Sequence, residues 1–296
     1  MTQTERHELT DEQVHRRDRL VQILRDMGRV AVAFSGGIDS TVVAQAAHLA
    51  LGDGAIAVTA DSPSVARAEL DDARLLATHI GIRHRIVRTD EFQNADYLRN
   101  DGARCYFCKS ELYTRIEAIL PELGNPVVCS GANRDDMGDY RPGLTAAAEH
   151  KVRHPLQEAG MGKADVRAVA RHWGLPTWDK AAAPCLSSRL APGVTVTTER
   201  TARVEAAERY LRDLGLRECR VRLHEGELAR IEVPVAELPR LADAAVRTAL
   251  AARFRELGFR FVTLDLEGFR SGSLNSLVQL DVKARFEIPA AGGVTP

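Results

Sequence analysis

Between Val30 and Ser40 the chain reads VAVAFSGGIDS. The apolar run from Val30 to Phe34 predicts a buried strand, and Ser40–Leu51, rich in alanine and valine, predicts a helix. The two glycines between them allow a tight turn in which N–H groups at the start of the helix point at an anion. The sequence therefore predicts a strand, a phosphate-binding loop and a helix in succession.

Asp39 is an acidic residue inside this predicted anion-binding loop. A carboxylate suits the loop if it holds a divalent cation, so we expect Mg²⁺ that bridges phosphates, with the hydroxyls of Ser35 and Ser40 as further donors. The loop is not a Walker loop, because no Gly-Lys-Ser/Thr follows it. A glycine-rich turn without a ligand is the alternative that the motif alone leaves open.

Apolar runs and helical periodicities alternate through the first two thirds of the chain. This alternation predicts a parallel sheet covered by helices on both faces. The further predicted strands are Ala55–Thr59, Arg83–Arg88 and Pro126–Ser130, and the further predicted helices are 12–27, Val65–Ile80, Lys109–Leu120 and Lys163–Trp173.

The pattern changes after about Pro192. A smaller α+β unit is predicted there, so we place an α/β domain at residues 1–192 and an α+β domain at residues 193–296. Its predicted elements are a helix at Thr198–Leu214 with Thr197 or Thr198 as N-cap, a hairpin of Glu218–His224 and Leu228–Val233, a helix near Val235–Leu257, and strands near Arg260–Leu266 and Leu277–Ile288.

Composition limits the function classes. The chain has 296 residues, 45% hydrophobic and 27% charged, with a net charge of −1, so it requires no basic face for nucleic acid. No apolar run has the length of a membrane span, and the charged N-terminal segment does not have the pattern of a secretory signal. Five cysteines without disulfide-framework spacing predict a reducing, cytoplasmic location.

Three of the five cysteines are candidate metal ligands. Cys105 and Cys108 form a C-x-x-C pair, predicted on a loop that enters a helix, and Cys185 lies far downstream. Three thiolates can hold a 4Fe-4S cluster and leave one iron without a protein ligand, whereas a structural zinc site needs a fourth ligand that is not evident. Cys129 and Cys219 lie in predicted strands and are interpreted as structural. A redox or incidental pair stays open for Cys105 and Cys108.

The SGGIDS loop resembles the PP-loop of the N-type ATP pyrophosphatases, which have an adenine nucleotide alpha hydrolase-like fold. The resemblance implies that the chain binds ATP and releases pyrophosphate while it adenylates a carboxylate or amide oxygen. The implied nucleotide-binding residues lie in the loop, at the end of the second strand and in a turn after a later strand: Ser35, Gly36, Gly37, Asp39, Ser40, Asp61, Ser62 and Gly131.

Four further motifs narrow the resemblance. Gly138–Gly143 (GDYRPG), Trp178–Lys180 (WDK), Cys185–Arg189 (CLSSR) and Gly268–Asn275 (GFRSGSLN) are together similar to the LarE family. Its members are pyridinium-3,5-bisthiocarboxylic acid mononucleotide synthases. The family adenylates the carboxylates of pyridinium-3,5-biscarboxylic acid mononucleotide and replaces an oxygen with sulfur, and the product matures into the nickel-pincer nucleotide of lactate racemase.

The same resemblance offers two sources of sulfur. One sacrifices the cysteine equivalent to Cys185, and the other uses three cysteines that hold a 4Fe-4S cluster, which accepts external sulfide. Members of the sacrificial type lack the C-x-x-C pair, so the resemblance favours a cluster on Cys105, Cys108 and Cys185. It also implies that Cys185 and Asp39 are catalytic. Lys180 and Arg189 flank Cys185 in sequence and could favour its thiolate.

Arg220 and Arg222 alternate along one predicted strand and therefore project from the same face. Paired arginines suit a phosphate, although basic residues on an exposed sheet face are the ordinary alternative. The LarE resemblance implies that they bind the mononucleotide phosphate, together with Ser188, Arg189, Glu208 and Glu232. It also implies a homo-oligomer, such as a hexamer, associated through the second domain.

Three other functions compete with this interpretation. A tRNA-thiolating enzyme of the same superfamily would also adenylate and sulfurate, but the near-neutral charge and the lack of a recognisable RNA-binding module in the sequence argue against it. A non-catalytic ATP-binding or iron–sulfur sensor would bind ATP without releasing pyrophosphate. An amide-forming synthetase would need an ammonia source, and no glutaminase segment is recognisable.

Overall fold

A computed structural model describes residues 8–137, 141–181, 183–270 and 274. The chain groups into two compact units. The first contains the described residues up to Asp90 and those from Cys105 to Ala183, and the second contains Glu91–Arg104 and the described residues from Pro184 onward. This grouping differs from the predicted division between residues 192 and 193. No helix among the described residues is long and apolar enough to cross a membrane.

The described residues form seven strands and eleven α-helices, together with short 3-10 turns. The strands are β1 (Val30–Ala33), β2 (Ala55–Asp61), β3 (Arg83–Arg88), β4 (Val127–Cys129), β5 (Arg220–His224), β6 (Leu228–Glu232) and β7 (Phe261–Leu264). The helices are α1 (Asp11–Asp26), α2 (Ile38–Leu51), α3 (Arg67–Ile80), α4 (Ala95–Arg99), α5 (Arg104–Ile119), α6 (Pro142–Glu149), α7 (Pro155–Glu158), α8 (Lys163–His172), α9 (Thr198–Asp213), α10 (Leu238–Ala242) and α11 (Ala244–Glu256).

The first unit contains a parallel sheet in the order β3-β2-β1-β4. Every residue of β1 is buried, which is why that strand reads as a continuous apolar run. One core contains buried residues of α1, α2 and α8, such as Leu20, Val43 and Val166. A second core contains Ile116 of α5 and Ala146 of α6. The predicted parallel α/β sheet with helices on both faces is therefore confirmed.

The second unit contains a three-stranded sheet in the order β5-β6-β7. β5 and β6 form the predicted antiparallel hairpin, with Arg220 opposite Glu232 and His224 opposite Leu228. β7 pairs in parallel with β6. The side chain of Thr197 accepts a hydrogen bond from the backbone of Arg200 and caps α9, as predicted.

Several predicted elements differ from the structure. Cys105 and Cys108 lie inside α5 and not on a loop, because the helix begins at Arg104. The predicted helix near Val235–Leu257 is divided at Asp243, whose side chain accepts backbone hydrogen bonds at the start of α11. The predicted strand Leu277–Ile288 lies outside the described residues.

Candidate active site

The loop after β1 has the conformation that its glycines predict. Gly36 has a φ of 70°, and a Cβ built there would meet the Cα of Ala73 at 3.3 Å. Gly37 is the N-cap of α2, so the helix begins at Ile38, two residues earlier than predicted, and Asp39 lies in its first turn. Local geometry therefore requires glycine at position 36, whereas Gly37 has a φ of −77° that other residues also adopt.

Two serine hydroxyls stabilise the loop from within. The hydroxyls of Ser35 and Ser40 lie 3.2 Å apart, and Ser40 Oγ donates to the carbonyl of Gly37 at 3.0 Å. The N–H of Gly37 donates to Ser35 Oγ at 3.3 Å. None of the described side chains caps α2, so the N–H groups of its first turn suit an anion. The predicted loop residues therefore lie together in an arrangement suited to phosphate.

The turn after β4 lies directly against this loop. β1 has β2 on one side and β4 on the other, so the strand order reverses at β1, where open α/β sheets bind ligands. A Cβ on Gly131 would lie 2.6 Å from the backbone nitrogen of Ser40 and 2.9 Å from the carbonyl carbon of Asp39. Only glycine at position 131 allows this close approach.

Asn133 is the partner of Asp39 that the sequence did not identify. Its side-chain nitrogen donates to Asp39 Oδ1 at 2.9 Å, and Asn133 itself is buried. Burial raises the pKa of Asp39, the hydrogen bond from Asn133 lowers it, and the charge of Asp136 raises it again, with a net upward shift. A half-buried carboxylate of this kind is a hard oxygen donor and fits the chemistry of a Mg²⁺ ligand.

The end of β2 is organised by an arginine. Arg67 donates to Asp61 Oδ1 at 2.6 Å and to the carbonyls of Ser62 and Val65, each at 2.7 Å. The hydroxyls of Ser62 and Ser64 lie 2.8 Å apart. Asp61 and Ser62, the predicted nucleotide-binding residues at the end of the second strand, are therefore held in one defined turn.

The two predicted phosphate-binding arginines of β5 are not on an exposed face. Arg222 is only 5% exposed, and its Nε donates to Glu232 at 3.1 Å while its Nη1 donates to the carbonyl of Ser188 at 3.2 Å. Arg220 lies over the ring of Phe269, 5.2 Å from its centroid. Burial lowers the pKa of Arg220, and the charge of Arg189 lowers it further. The exposed-face alternative is therefore wrong.

Glu208 and Glu232 act as partners of these arginines. Arg189 Nε donates to Glu208 Oε1 at 3.0 Å, and both side chains are almost completely buried. Arg189 Nη1 also donates to the carbonyl of Cys185 at 3.0 Å. Glu208 thus pairs with Arg189, and Glu232 with Arg222 at 3.0 Å and also with Arg230 at 3.1 Å. The group Arg189, Arg220 and Arg222 brings three positive charges close to the Cys185 segment within the second unit.

The five cysteines fall into two classes. Cys105 is exposed, Cys108 and Cys185 are half-buried, and Cys129 and Cys219 are buried; none of the five forms a disulfide. Burial raises the pKa of Cys129 to about 12 and that of Cys219 to about 11, so both remain protonated. The C-x-x-C pair belongs to the first unit and Cys185 to the second. No group of three or more His, Cys, Asp or Glu among the described residues is arranged to hold a metal ion.

Comparison with known proteins shows the family of this chain. Residues 9–100 match the family described as asparagine synthase. An uncharacterised protein of Synechocystis sp. is 45% identical over 261 residues, which cover 88% of this chain and 97% of that protein. The pyridinium-3,5-bisthiocarboxylic acid mononucleotide synthase of Lactiplantibacillus plantarum is 43% identical over 258 residues, 86% of this chain and 92% of that protein. This chain belongs to the LarE family.

Membership confirms the resemblance of the motifs and identifies the chain as an ATP-utilising PP-loop enzyme. The tRNA-specific 2-thiouridylase MnmA of Azorhizobium caulinodans is 31% identical, but over only 51% of this chain and 48% of that protein. The similarity to LarE proteins runs through most of both chains and so includes the second unit. The tRNA thiolases are distant relatives.

One LarE-like motif residue has contacts that the sequence did not predict, and several others lie outside the described residues. Lys180 of the WDK motif donates to Glu69 at 2.8 Å and to Asp72 at 2.9 Å, both on α3, so these acids account for its position without Cys185. Other motif residues lie outside the described part of the chain: Gly138, Asp139, Tyr140, Ser271, Gly272, Ser273 and Asn275.

Asp39→Asn is expected to stabilise the protein when nucleotide and magnesium are absent. Because the folded-state pKa of Asp39 is raised, the native state holds the proton more tightly, and ionisation at higher pH costs stability. The cost is absent below about pH 4, where the folded and unfolded states are both protonated. It is fully present above the raised pKa of the folded state. Asparagine keeps an acceptor for Asn133 and removes the charge.

The measurement is the midpoint of thermal unfolding in EDTA, from about pH 4 to about pH 8, the range in which the charge on Asp39 changes. Asp39→Asn should unfold at a higher temperature than the wild type at neutral pH, and the two should converge in acid. Asp71→Asn, an exposed acid of α3 that pairs with Arg74, is the control. An Asp39→Asn midpoint at or below that of the wild type at neutral pH would contradict the account.

Proposed function

We propose that this LarE protein adenylates the carboxylates of pyridinium-3,5-biscarboxylic acid mononucleotide with ATP and replaces an oxygen with sulfur, in the biosynthesis of the nickel-pincer nucleotide of lactate racemase. The 43% identity to the synthase of that name supports this substrate. The observation that carries the proposal is the buried arginine group, in which Arg189 and Arg222 donate to the carbonyls of Cys185 and Ser188. Side chains able to bind a phosphate therefore contact the same short segment that contains Cys185, the candidate sulfur carrier.

Adenylation would take place at the PP-loop. A carboxylate oxygen of the substrate attacks the α-phosphorus of ATP, the bond from that phosphorus to the bridging oxygen breaks, and pyrophosphate leaves. The N–H groups of the first turn of α2 and the hydroxyls of Ser35 and Ser40 would hold the phosphates. Mg²⁺, when bound at Asp39, supplies positive charge that neutralises the phosphate oxygens.

Sulfur transfer would follow on the acyl-adenylate. A sulfur nucleophile attacks the carbonyl carbon, the bond from that carbon to the AMP oxygen breaks, and AMP leaves with one oxygen of the original carboxylate. If Cys185 is the donor, its Sγ forms the new bond. The Cβ–Sγ bond then breaks with loss of the Cα proton and leaves dehydroalanine.

We favour an external sulfide over sacrifice of Cys185. Cys105 is exposed and Cys108 and Cys185 are half-buried, whereas the other two cysteines are buried, and thiolates suit iron–sulfur clusters. A 4Fe-4S cluster on these three residues, when bound, would supply sulfide from the iron that lacks a protein ligand.

The cellular setting belongs to the same proposal. Five free cysteines suit a reducing cytoplasm. Association into a homo-oligomer, such as a hexamer joined through the second unit, is expected from the family resemblance. Thiolation of tRNA is less favoured, because the similarity to the thiouridylases covers only about half of the chain.

Arg220→Met tests the mononucleotide site. Methionine keeps an apolar contact with Phe269 but removes the charge, and loss of one charge-assisted hydrogen bond costs about 1.5–3 kcal/mol. We expect the apparent affinity for the biscarboxylate mononucleotide to fall about 10- to 100-fold, while the KM for ATP stays unchanged. Substrate-dependent release of pyrophosphate measures both constants.

Arg253→Met is the matched control, because Arg253 is a half-exposed residue of α11 that pairs with Glu256 on the same helix. Equal losses of ATP and mononucleotide affinity in Arg220→Met would assign Arg220 to folding or to the nucleotide. Absence of substrate-dependent pyrophosphate release from the wild type would reject the proposed function itself.

The iron content and turnover of anaerobically purified protein distinguish the two sulfur sources. We expect a brown protein with about four irons per chain when the cluster is fully loaded. With sulfide and ATP it should make more than one thiocarboxylate per chain and keep the mass of Cys185. Cys105→Ala, Cys108→Ala and Cys185→Ala should each lose iron and turnover together, while Cys129→Ala keeps both.

The opposite result is equally distinct. If the wild type loses the mass of H₂S at Cys185 after one turnover and Cys105→Ala behaves normally, Cys185 is a sacrificial donor and the C-x-x-C pair has no part in the reaction.

A further inference from the structure

A short segment between β3 and α5 belongs to the second unit and contacts the residues that follow Cys185. Asn100, the C-cap residue of α4, is buried and has the left-handed conformation with a φ of 55°. Its side-chain nitrogen donates to the carbonyls of Ala191 at 2.9 Å and Val194 at 3.0 Å, and more weakly to that of Leu190 at 3.3 Å. The N–H of Gly193 donates to the carbonyl of Asn100 at 2.9 Å.

The same segment holds Ser187 by two of its polar groups. The hydroxyl of Tyr97 lies 2.8 Å from the hydroxyl of Ser187, and both side chains are almost completely buried. Arg104 Nη1 donates to the carbonyl of Ser187 at 2.8 Å and also to the side chain of Asn100. We call Tyr97, Asn100 and Arg104 the clamp.

The clamp contacts the short 3-10 turn that follows Cys185 and positions this residue. Leu186–Arg189 is a single 3-10 turn with Cys185 as its N-cap residue. Ser188 Oγ donates to the carbonyl of Cys185 at 2.6 Å, and Arg189 donates to the same carbonyl at 3.0 Å. Because so short a turn is a weak structure by itself, its orientation is set by the groups that hold Ser187.

The clamp itself is unsuited to direct chemistry. Tyr97 is 1% exposed and Asn100 is 2% exposed, so neither side chain is available to a substrate. Their polar groups are instead used on the backbone and hydroxyl of the Cys185 segment and the residues just after it. Burying hydrogen-bonding groups of this kind is costly unless they are satisfied, and here Ser187 satisfies Tyr97 and the carbonyls of residues 190, 191 and 194 satisfy Asn100.

We propose that Tyr97, Asn100 and Arg104 are positioning residues that fix the backbone of Cys185–Arg189 and so set where the Cys185 sulfur is presented. The inference rests on the proposed function, because it assigns Cys185 a part in sulfur transfer. Reaction rates depend steeply on such placement, since an error of about 1 Å can cost about 10²-fold. The yield of thiocarboxylate per adenylation should therefore depend on the clamp, whereas the KM for ATP should not.

Tyr97→Phe and Asn100→Asp are the test variants. The first keeps the ring and its contact with Phe92, 5.3 Å between centroids, and removes only the hydroxyl. The second keeps the shape of Asn100 and replaces the amide donor with an acceptor. Tyr210→Phe, the same chemical change on α9 of the same unit, is the control. Arg104 is left unchanged because it precedes Cys105 in the chain.

Two measurements separate positioning from folding. In iron-free reduced protein, the rate at which iodoacetamide alkylates Cys185 relative to Cys105 is read by peptide mass. In the full reaction, thiocarboxylate formed per AMP is compared with the KM for ATP. We expect the alkylation ratio to change and the thiocarboxylate yield per AMP to fall about tenfold in both variants, with the KM for ATP unchanged and Tyr210→Phe like the wild type.

The proposal is overturned if both variants only lower the unfolding midpoint while the alkylation ratio and the yield per AMP stay at wild-type values. If Asn100→Asp does not fold, Tyr97→Phe decides alone. A wild type that forms no thiocarboxylate would reject the proposed function, and the alkylation ratio would still decide whether the clamp positions Cys185.

Discussion

The close approach between the turn after β4 and the first turn of α2 is the constraint on which the nucleotide end of the structure depends. It exists because Gly131 has no Cβ that would collide with the backbone of Ser40. The same approach brings Asn133 within hydrogen-bonding distance of Asp39. Burial and the charge of Asp136 make the ionised form of Asp39 unfavourable by itself, and a bound cation would favour that form.

The second unit contains buried arginines that are paired with glutamates. It holds guanidinium groups in a buried place, where an unpaired charge would be costly, and it does so with one carboxylate for each of two arginines. Glu208 and Glu232 therefore orient Arg189 and Arg222. Hydrophobic side chains could fill the same space, so the retention of charge there agrees with a site for an anionic group.

Much of the first unit could be predicted from sequence because its signals are local. The buried strand β1 and the two glycines after it lie within eight residues of one another, from Val30 to Gly37. The grouping of Glu91–Arg104 with the second unit could not be predicted from sequence, because the hydrogen bonds of Asn100 reach residues about ninety positions away. Glu208 was expected to bind substrate, but only the structure shows the arginine that it holds.

The central claim is that ATP activates a carboxylate oxygen by adenylation, and oxygen labelling tests it most directly. The substrate is prepared with ¹⁸O in its carboxylates, and the AMP and pyrophosphate formed in one turnover are examined by mass spectrometry. The account predicts that AMP gains one ¹⁸O atom for each carboxylate converted and that pyrophosphate gains none. Unlabelled AMP, or label in pyrophosphate or in free phosphate, would contradict it.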